Sequence, residues 1–319
     1  MGTIYSGDAL EILRQMPSES VQCCVTSPPY WGLRDYGVSG QLGLEKTPAE
    51  FVSRLVDVFR EVKRVLKADG TLWVNLGDSY AGGGRGGIGE KSTLQGGQKN
   101  QNESRRTFRR DGADGFPIVK REHGLKSKDL VGIPWMVAFA LRDDGWYLRS
   151  DIVWHKSNCL PESVNDRPTK AHEYLFLFSK SARYFYDADS IREPHSPDSI
   201  RRTKRKFVYK HKPPGQTGHT LSPDGFCHAK GKNKRTVWKV STRPFKGAHF
   251  ATFPPDLIEP CIKAGSRPGD TVLDPFFGAG TTGLVSQNLA RDWIGIELNP
   301  QYCEIARQRI GLDAHIQSA

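Results

Sequence analysis

The chain has 319 residues, of which 37% are hydrophobic and 25% are charged, and its formal net charge is +11. This composition is that of a globular protein, and the length allows one large domain with an insertion. Because the sequence shows no membrane-spanning apolar run, no signal-peptide pattern and no disulfide or metal spacing among its six cysteines, we expect a reduced, cytoplasmic protein without a membrane partner.

The positive charge is concentrated in two segments. Residues 190–246 hold 15 lysines and arginines against 3 acidic residues, and residues 81–128 hold 11 against 5. The rest of the chain has 20 basic and 27 acidic residues and is therefore negative. Two basic segments on an acidic scaffold indicate a polyanionic partner, although two solvated loops would give the same count.

The first elements predict a strand, a helix and a second strand. Thr3–Tyr5 forms a short strand, and Asp8 opens a helix for which it is a suitable N-cap. The apolar run Val21–Val25 predicts a buried strand. It leads into the proline corner, residues 26–31 with the sequence TSPPYW, where two prolines stiffen the chain. Such a corner can clamp a flat group with a hydroxyl, a carbonyl and an aromatic face; the alternative is a turn with a core aromatic.

The next segments alternate between regular elements and a polar insert. Thr47 and Pro48 predict the start of a helix that ends at Asp69-Gly70, and residues 71–76 predict a strand. Asp78 follows this strand and belongs either to a site or to a plain loop. Residues 81–128 are rich in glycine and basic residues and cannot build a core. We expect a helix over 130–141, a strand over 146–154, and a closing antiparallel hairpin of 173–178 with 183–186.

The basic region, residues 190–246, interrupts this pattern. Clusters of lysine and arginine alternate there with aromatic residues, as is typical of surfaces that hold phosphates and base edges. Its histidines and cysteine fit no standard zinc spacing, and no metal site is predicted. The residues concerned are His211, His219, Cys227 and His228.

The C-terminal part predicts alternating helices and strands. A helix covers 256–264 and a strand 271–274, which leads into the glycine loop, residues 274–282 with the sequence DPFFGAGTT. Glycine there lets backbone amides approach a ligand closely. A helix over 281–290 and a strand over 293–296 follow, with Glu297 at the strand end, and Asn299-Pro300 starts the last helix. We expect this final unit to lie beside the first strand.

The glycine loop also satisfies the dinucleotide pattern GxGxxG, with Glu297 placed 19 positions after Gly278. Only 22 residues follow Glu297, which is too few for the second half of a nicotinamide-binding domain. The sequence therefore argues against a dehydrogenase.

The proline corner and the glycine loop together resemble motifs of the beta-class amino-group DNA methyltransferases, which modify cytosine N4 or adenine N6 with S-adenosylmethionine. The corner matches their catalytic (D/N/S)PP(Y/F/W) motif, and the loop matches DPFxGxGTT. The resemblance implies an α/β fold with a Rossmann-like class I sheet, mostly parallel with an antiparallel closing hairpin. The motif order is the circularly permuted one of this class. It also implies a catalytic half (1–189), an inserted basic target-recognition region (190–246) and a cofactor half (247–319).

The resemblance assigns roles to individual residues. Catalysis falls to Ser27, Pro28, Pro29 and Tyr30. Contacts with S-adenosylmethionine fall to residues after the strands, in the glycine loop and before the helix at 256, namely Asp8, Thr252, Phe253, Asp274, Phe276, Gly278, Gly280, Thr281 and Glu297. The predicted DNA contacts lie in the basic region, at Arg201, Arg202, Lys204, Arg205, Lys206, Lys232, Lys234 and Arg235.

Serine at the first motif position is more typical of cytosine-N4 enzymes, whereas aspartate or asparagine is usual for adenine N6. We therefore expect methylation of cytosine N4 in double-stranded DNA, with the base flipped out, and adenine N6 as the alternative. A homodimer and a cognate restriction endonuclease are candidate partners. A protein-glutamine methyltransferase, whose glycine loop precedes the Pro-Pro motif, and an inactive DNA-binding protein remain weaker alternatives. A 5-methylcytosine enzyme would need a Pro-Cys nucleophile, and the single such pair, at Cys261, falls in a predicted helix.

Overall fold

The computed structural model describes residues 1–33, 35–81, 124–203, 227–243, 253–311 and the backbone of 316–318. The strands are β1 (Gly2–Ser6), β2 (Val21–Thr26), β3 (Leu66–Leu76), β4 (Tyr147–His155), β5 (His172–Ser179), β6 (Val237–Lys239), β7 (Thr271–Asp274), β8 (Asp292–Glu297) and β9 (Ile316–Ser318). The helices are α1 (Ala9–Gln15), α2 (Pro48–Val65), α3 (Ile133–Asp143), α4 (Pro197–Thr203), α5 (Pro255–Gly265), α6 (Thr281–Asn288) and α7 (Pro300–Ile310).

Within these residues the strands form one sheet in the order β6-β4-β5-β3-β2-β7-β8-β1-β9. All neighbours are parallel except β5, which is antiparallel to β3 on one side and to β4 on the other. The mostly parallel α/β sheet is confirmed, as is the position of β8 beside β1. The carboxyl ends of eight strands and the amino end of β5 therefore share one edge of the sheet.

The predicted pairing of 173–178 with 183–186 is wrong. Both sides of β5 are occupied, by β3 and by β4, so that no edge remains for a further strand. The aromatic residues of the later segment pack against other parts of the molecule instead. Tyr186 stacks on Trp73 with ring centroids 6.4 Å apart, and the Arg267 guanidinium lies 3.8 Å from the Phe185 ring centroid.

Helices cover both faces of the sheet because its strands are apolar on both sides. Cys23 and Cys24 are both fully buried but face opposite layers, as neighbours on a strand must. Cys24 packs in the cluster that contains the apolar faces of α1, α2 and α3, whereas Cys23 packs in the cluster of α5. A third cluster joins β1 and β8 to α7.

Helix α2 begins as its sequence predicts but ends earlier. The Thr47 hydroxyl accepts a hydrogen bond from the Glu50 amide at 3.0 Å, with Pro48 in the first turn. The helix stops at Val65 rather than at Asp69-Gly70, because Leu66 already pairs with Val21 in the sheet. No helix within the described parts of the chain is long and apolar enough to cross a membrane.

The basic region is joined to the sheet. Its strand β6 lies parallel to β4, and the Asn158 side chain, just beyond β4, exchanges hydrogen bonds with the Thr242 backbone at 2.8 and 3.0 Å. Residues 204–226 and 244–252 lie outside the described residues, as does most of the 81–128 insert. The boundaries of the three predicted regions stay predictions.

Candidate active site

The proline corner and the glycine loop meet at the centre of the sheet edge. Strands β2 and β7 are hydrogen-bonded neighbours, with Cys24 opposite Leu273, so the segments that follow them emerge side by side. The Thr26 hydroxyl donates to the Asp274 carboxylate at 2.6 Å, and the Thr282 hydroxyl donates to its other oxygen at 2.6 Å. The two motifs that the sequence places at opposite ends of the chain form one contiguous structure.

Asp274 holds this junction from inside. Its side chain is only 1% exposed, and it also accepts the Phe276 amide at 3.0 Å. Burial raises the pKa of this carboxyl to about 6, against the lowering effect of the Thr26 and Thr282 hydroxyls. A side chain enclosed in this way fixes the start of the glycine loop and has little surface left for a ligand.

The two predicted loop glycines have different surroundings. Gly278 has a φ of +51°, and a Cβ there would meet nothing within 4 Å. Gly280 has a φ of +76°, and a Cβ there would lie 2.9 Å from the Ala306 Cβ and 3.0 Å from the Ile310 Cδ1. Gly278 therefore borders open space, whereas Gly280 allows the loop to pack closely against α7.

Helix α7 also fixes the end of the loop by hydrogen bonding. The Arg309 guanidinium donates to the Ala279 carbonyl at 3.0 Å and to the Thr281 hydroxyl at 2.9 Å. Phe276 is half-buried against the first core cluster. Helix α7 thus fixes the shape of the loop by packing and by hydrogen bonds.

Two acidic residues lie at the carboxyl ends of β8 and β1, the next strands of the sheet after β7: Glu297 ends β8, and Asp8 follows β1. Glu297 is half-buried, and its carboxylate accepts the Gly278 amide at 2.7 Å and the Asn299 amide at 2.8 Å. Burial raises the pKa of Glu297, although these amides oppose the shift. Asp8 is the N-cap of α1 and accepts the amides of Leu10 and Glu11 at 2.9 and 3.1 Å. The N-cap role considered from the sequence is confirmed.

On the other side of the proline corner lies a hydrogen-bonded group of polar side chains. The half-buried Ser27 hydroxyl donates to Oδ1 of Asn75 on β3 at 3.3 Å. The Tyr30 hydroxyl donates to Oε2 of Glu173 at 2.8 Å and lies 3.2 Å from the same Asn75 oxygen. The Tyr30 ring packs on Gly77, where a Cβ would lie 2.5 Å from its Cε2. The sequence analysis missed Asn75 and Glu173.

Glu173 is the charged member of this group. It forms an ion pair with Lys156, which extends from the end of β4. Burial raises the pKa of the Tyr30 phenol well above its ordinary range, and the charge of Glu173 raises it further. Tyr30 is therefore a hydrogen-bond donor at physiological pH. Burial also lowers the pKa of Lys170, whose ammonium is buried without a hydrogen-bond partner.

One sequence signal could have identified this group. Asn75 interrupts the apolar second half of β3, residues 72–76, and is only 1% exposed, and Glu173 directly precedes the apolar run of β5. Polar residues at the ends of buried strands are costly unless they are paired, so they indicate a polar cluster.

Of the two roles that the sequence allows for Asp78, the structure shows the structural one. Its carboxylate accepts the amides of Gly132 and Ile133 at 2.9 and 3.2 Å and the amide of Ser79 at 3.0 Å. It therefore caps α3, which has no capping side chain of its own.

The predicted DNA-contacting residues fall into two groups. Lys232 and Lys234 both lie beside the Glu193 carboxylate, at 3.7 and 3.5 Å, with side chains 35% and 21% exposed. Arg235 is exposed, and Arg201 forms an i,i+3 pair with Asp198 in which both side chains are about 70% exposed. Exposed pairs of this kind are weak, so Arg201 remains available to a phosphate.

Several predicted residues cannot be placed. Thr252, Lys204, Arg205, Lys206, His211 and His219 lie outside the described residues, as does the side chain of Arg202. Phe253 is described and is 9% exposed, packed in the cluster of α5. Cys261 lies within α5 as predicted, and burial raises the pKa of its thiol well above its ordinary value, so it is a core residue rather than a nucleophile.

The arrangement fits a nucleotide-type cofactor. Parallel strands end in a glycine loop that borders open space at Gly278, and the half-buried carboxylate of Glu297 follows on the next strand. Ligands of open α/β sheets bind at this edge. Together with the DPFFGAGTT loop, the fold and site define a methyltransferase that uses S-adenosylmethionine.

The chain belongs to the DNA methylase family of N6 and N4 amino-methyltransferases, whose model matches residues 21–308. The Type II methyltransferase M.XycI of Xanthomonas campestris pv. cyanopsidis is 50% identical over 308 residues, which cover 97% of this chain and 87% of that protein. The Type II methyltransferase M.SmaI of Serratia marcescens is 47% identical over 307 residues, which cover 96% and 90%.

Two solved structures share the fold. The PvuII DNA methyltransferase (cytosine-N4-specific) aligns with a TM-score of 0.63 and 22% identity over 99% of this chain and 88% of that chain. TTHA0409 of Thermus thermophilus, complexed with S-adenosyl-L-methionine, aligns with a TM-score of 0.58 and 22% identity over the whole of both chains. The predicted family and fold class are confirmed.

Proposed function

We propose that this DNA amino-methyltransferase modifies the exocyclic N4 amine of cytosine in double-stranded DNA. The observation that carries the proposal is the Ser27 hydroxyl, which follows β2 directly beside the glycine loop that starts at Asp274. A short hydroxyl at this place can accept an amine proton of a pyrimidine without crowding the ring. The cytosine-N4 specificity in the name of the structurally similar PvuII enzyme supports the same base.

Each residue of the proline corner has its own role in this proposal. The Ser27 hydroxyl and the Pro28 carbonyl accept the two amine protons, Pro29 keeps the corner rigid, and the ring of Tyr30 stacks on the base. The nitrogen lone pair is left directed at the methyl group, which S-adenosylmethionine supplies on a positively charged sulfur. Positioning of the two reactants supplies much of the rate, and no covalent bond to the protein is needed.

The cofactor would lie along the glycine loop. Gly278 borders the open space, Glu297 accepts hydroxyl hydrogen bonds, and Phe276, Phe253, Thr252 and Asp8 contribute contacts around the remaining groups. Three loop residues support the loop without contacting the cofactor, because they are packed or hydrogen-bonded within the protein: Gly280, Thr281 and Asp274. These three are positioning residues in this proposal.

The target base must leave the duplex, because the proline corner at the end of β2 cannot reach an amine inside a base stack. Binding should therefore be tighter to a duplex in which the target cytosine is mispaired, since less pairing energy is lost on flipping. Equal affinity for the matched and mispaired duplexes, after the modified position has been mapped, would contradict base flipping.

The first test is the product. Purified protein is incubated with double-stranded DNA and S-adenosylmethionine, and the nucleosides are identified by mass spectrometry. We expect N4-methylcytosine, and a loss of at least about tenfold for Ser27→Ala. Ser20→Ala is the matched control, because its hydroxyl lies on an exposed turn and bonds only the Pro17 carbonyl. Detection of N6-methyladenine alone would instead establish the alternative base.

The names of the relatives extend the proposal to partners. Three Type II methyltransferases are at least 47% identical to this chain over nearly its whole length. A role in a restriction–modification system, with a cognate endonuclease, follows from this similarity. We also propose a homodimer, which sedimentation of the purified protein would test against a monomer.

A further inference from the structure

Asn75 is a polar side chain that is only 1% exposed and lies on β3, the strand next to β2, which Ser27 directly follows. We propose that Asn75 is a positioning residue that orients the Ser27 hydroxyl as a hydrogen-bond acceptor for the target amine. This inference deepens the proposed function and rests on it.

The orientation follows from the number of protons on a hydroxyl. Ser27 has one, and it is donated to Oδ1 of Asn75 at 3.3 Å. With its proton committed, the oxygen can offer its lone pairs to an amine proton. A serine without this partner could donate instead to the ring N3 of cytosine, an acceptor next to the amine. That arrangement would bind the base but leave the amine without its acceptor.

The amide of Asn75 is itself held in one orientation. Its Nδ2 donates to the Tyr174 carbonyl at 3.0 Å and to Oε2 of Glu173 at 3.3 Å. A flipped amide would place Oδ1 against these two acceptors and turn Nδ2 toward Ser27, so that both contacts would be lost. The acceptors on β5 thus fix which atom of Asn75 faces the proline corner.

The Glu173 carboxylate, which accepts a hydrogen bond from this amide, is kept in place by two further contacts. Its Oε1 forms the ion pair with Lys156, while its Oε2 accepts the Tyr30 hydroxyl at 2.8 Å. The Tyr30 hydroxyl donates its proton to this carboxylate at the shorter distance, which leaves Oδ1 of Asn75 to accept the Ser27 proton. Glu173 therefore orients Asn75, and Asn75 orients Ser27; of these three residues only Ser27 contacts the base in the proposed function.

A double-mutant cycle tests this dependence. Wild type, Ser27→Ala, Asn75→Ala and the double variant are compared for kcat, for KM of DNA and for affinity for S-adenosylmethionine. We expect Asn75→Ala to lower kcat by at least about tenfold with KM and cofactor affinity within about twofold. We expect the double variant to match Ser27→Ala, because Asn75 acts only through the serine hydroxyl.

Three results would overturn the proposal: unchanged kcat in Asn75→Ala, losses that multiply in the double variant, or a fall confined to KM. Asn75→Ala removes a buried polar group, so it could also fail to fold. In that case Asn75→Asp is compared with Asn75→Asp/Glu173→Gln. The single variant places two carboxylates together and should lose about tenfold or more in kcat.

The paired exchange removes the second carboxylate and restores a hydrogen bond between the two side chains, because the glutamine amide donates to the new carboxylate, whose other oxygen accepts from Ser27. The Tyr174 carbonyl still loses its donor, so recovery is partial. We expect kcat to rise at least about threefold above the single variant, on the scale at which one hydrogen bond changes kcat. A pair no more active than the single variant would refute the role. Identification of the methylated nucleoside separates the two proposals. If the product is N6-methyladenine and the double-mutant cycle is non-additive, only the assignment of the target base is wrong. If the product is N4-methylcytosine and the cycle is additive, only the positioning role of Asn75 is wrong.

Discussion

The Thr26 hydroxyl donates to Oδ1 of Asp274 at 2.6 Å, although 248 positions of sequence separate the two residues. This hydrogen bond joins the last residue of β2 to the last residue of β7, and thereby the proline corner to the glycine loop. The proposed acceptor of the amine protons and the proposed binding loop of the methyl donor are thus fixed relative to one another by a buried contact.

Asp274→Asn should change how stability depends on pH. Burial raises the pKa of Asp274 to about 6, whereas an unfolded aspartate titrates near about 4. Between these values the folded state binds more protons than the unfolded state, so the wild-type free energy of unfolding falls as pH rises. Relative to the variant, the free energy of unfolding of the wild type should fall by roughly 3 kcal/mol from about pH 4 to pH 6 and should stay constant at higher pH.

Urea denaturation at several pH values measures this difference. The asparagine can be accommodated, because its Nδ2 can donate to Thr282, whose hydroxyl then donates to the Val25 carbonyl 3.3 Å away. Asp57→Asn is the control, since that side chain is half exposed on α2. A stability difference that does not vary between pH 4 and 6 would contradict the buried charge.

Alanine at the two loop glycines should separate folding from cofactor binding. Gly280→Ala combines a left-handed φ with contact against α7, so we expect a loss of roughly 2–5 kcal/mol in the free energy of unfolding. Gly278→Ala adds only the backbone strain, about 1–2 kcal/mol, but its methyl group enters the open space.

Calorimetry should therefore show weakened S-adenosylmethionine binding for Gly278→Ala in protein that remains folded by circular dichroism. If Gly278→Ala binds the cofactor as tightly as wild type, the space beside it is not the cofactor site. If both variants lose the same stability, the packing of Gly280 on α7 is not what requires glycine there.

Salt dependence should identify which basic residues touch DNA. Arg201 and Arg235 are exposed, so Arg201→Ala/Arg235→Ala should reduce the slope of log K against log salt by up to about 2. Lys232→Ala/Lys234→Ala removes the same charge, but these lysines lie against Glu193 and should leave the slope nearly unchanged. Fluorescence anisotropy over a salt series measures the slope for both double variants. A larger reduction for the lysine variant than for the arginine variant would place the DNA contacts at Lys232 and Lys234 instead.

Removing the cap of α3 should affect stability alone. Asp78→Ala leaves the Gly132 and Ile133 amides without their acceptor, and we expect a loss of about 1–2 kcal/mol in the free energy of unfolding. Asp143→Ala, at the exposed end of the same helix, should cost less than about 0.5 kcal/mol. Lost cofactor or DNA binding with unchanged stability would instead place Asp78 in the site.

Local sequence was sufficient for most elements of the fold. The caps at Thr47 and Asn299 and the apolar runs of β2 and β7 determine elements that appear as predicted, because capping and strand patterning act over a few residues. The hairpin of 183–186 was wrong because strand pairing is a competition, and β3 and β4 occupy both sides of β5. No local pattern contains that information.

The candidate site divides in the same way. Short motifs are sufficient to identify the proline corner, the glycine loop and Glu297, because the chemistry of each depends on adjacent residues. Other features appear only in the folded chain: the contacts of Asp274 and Gly280 within the protein, the ion pairs of Glu193 with Lys232 and Lys234, and the hydrogen bonds of Asn75 and Glu173 with Ser27 and Tyr30. Burial and hydrogen-bond partners are properties of strands brought together from distant parts of the chain, and only the folded sheet supplies them.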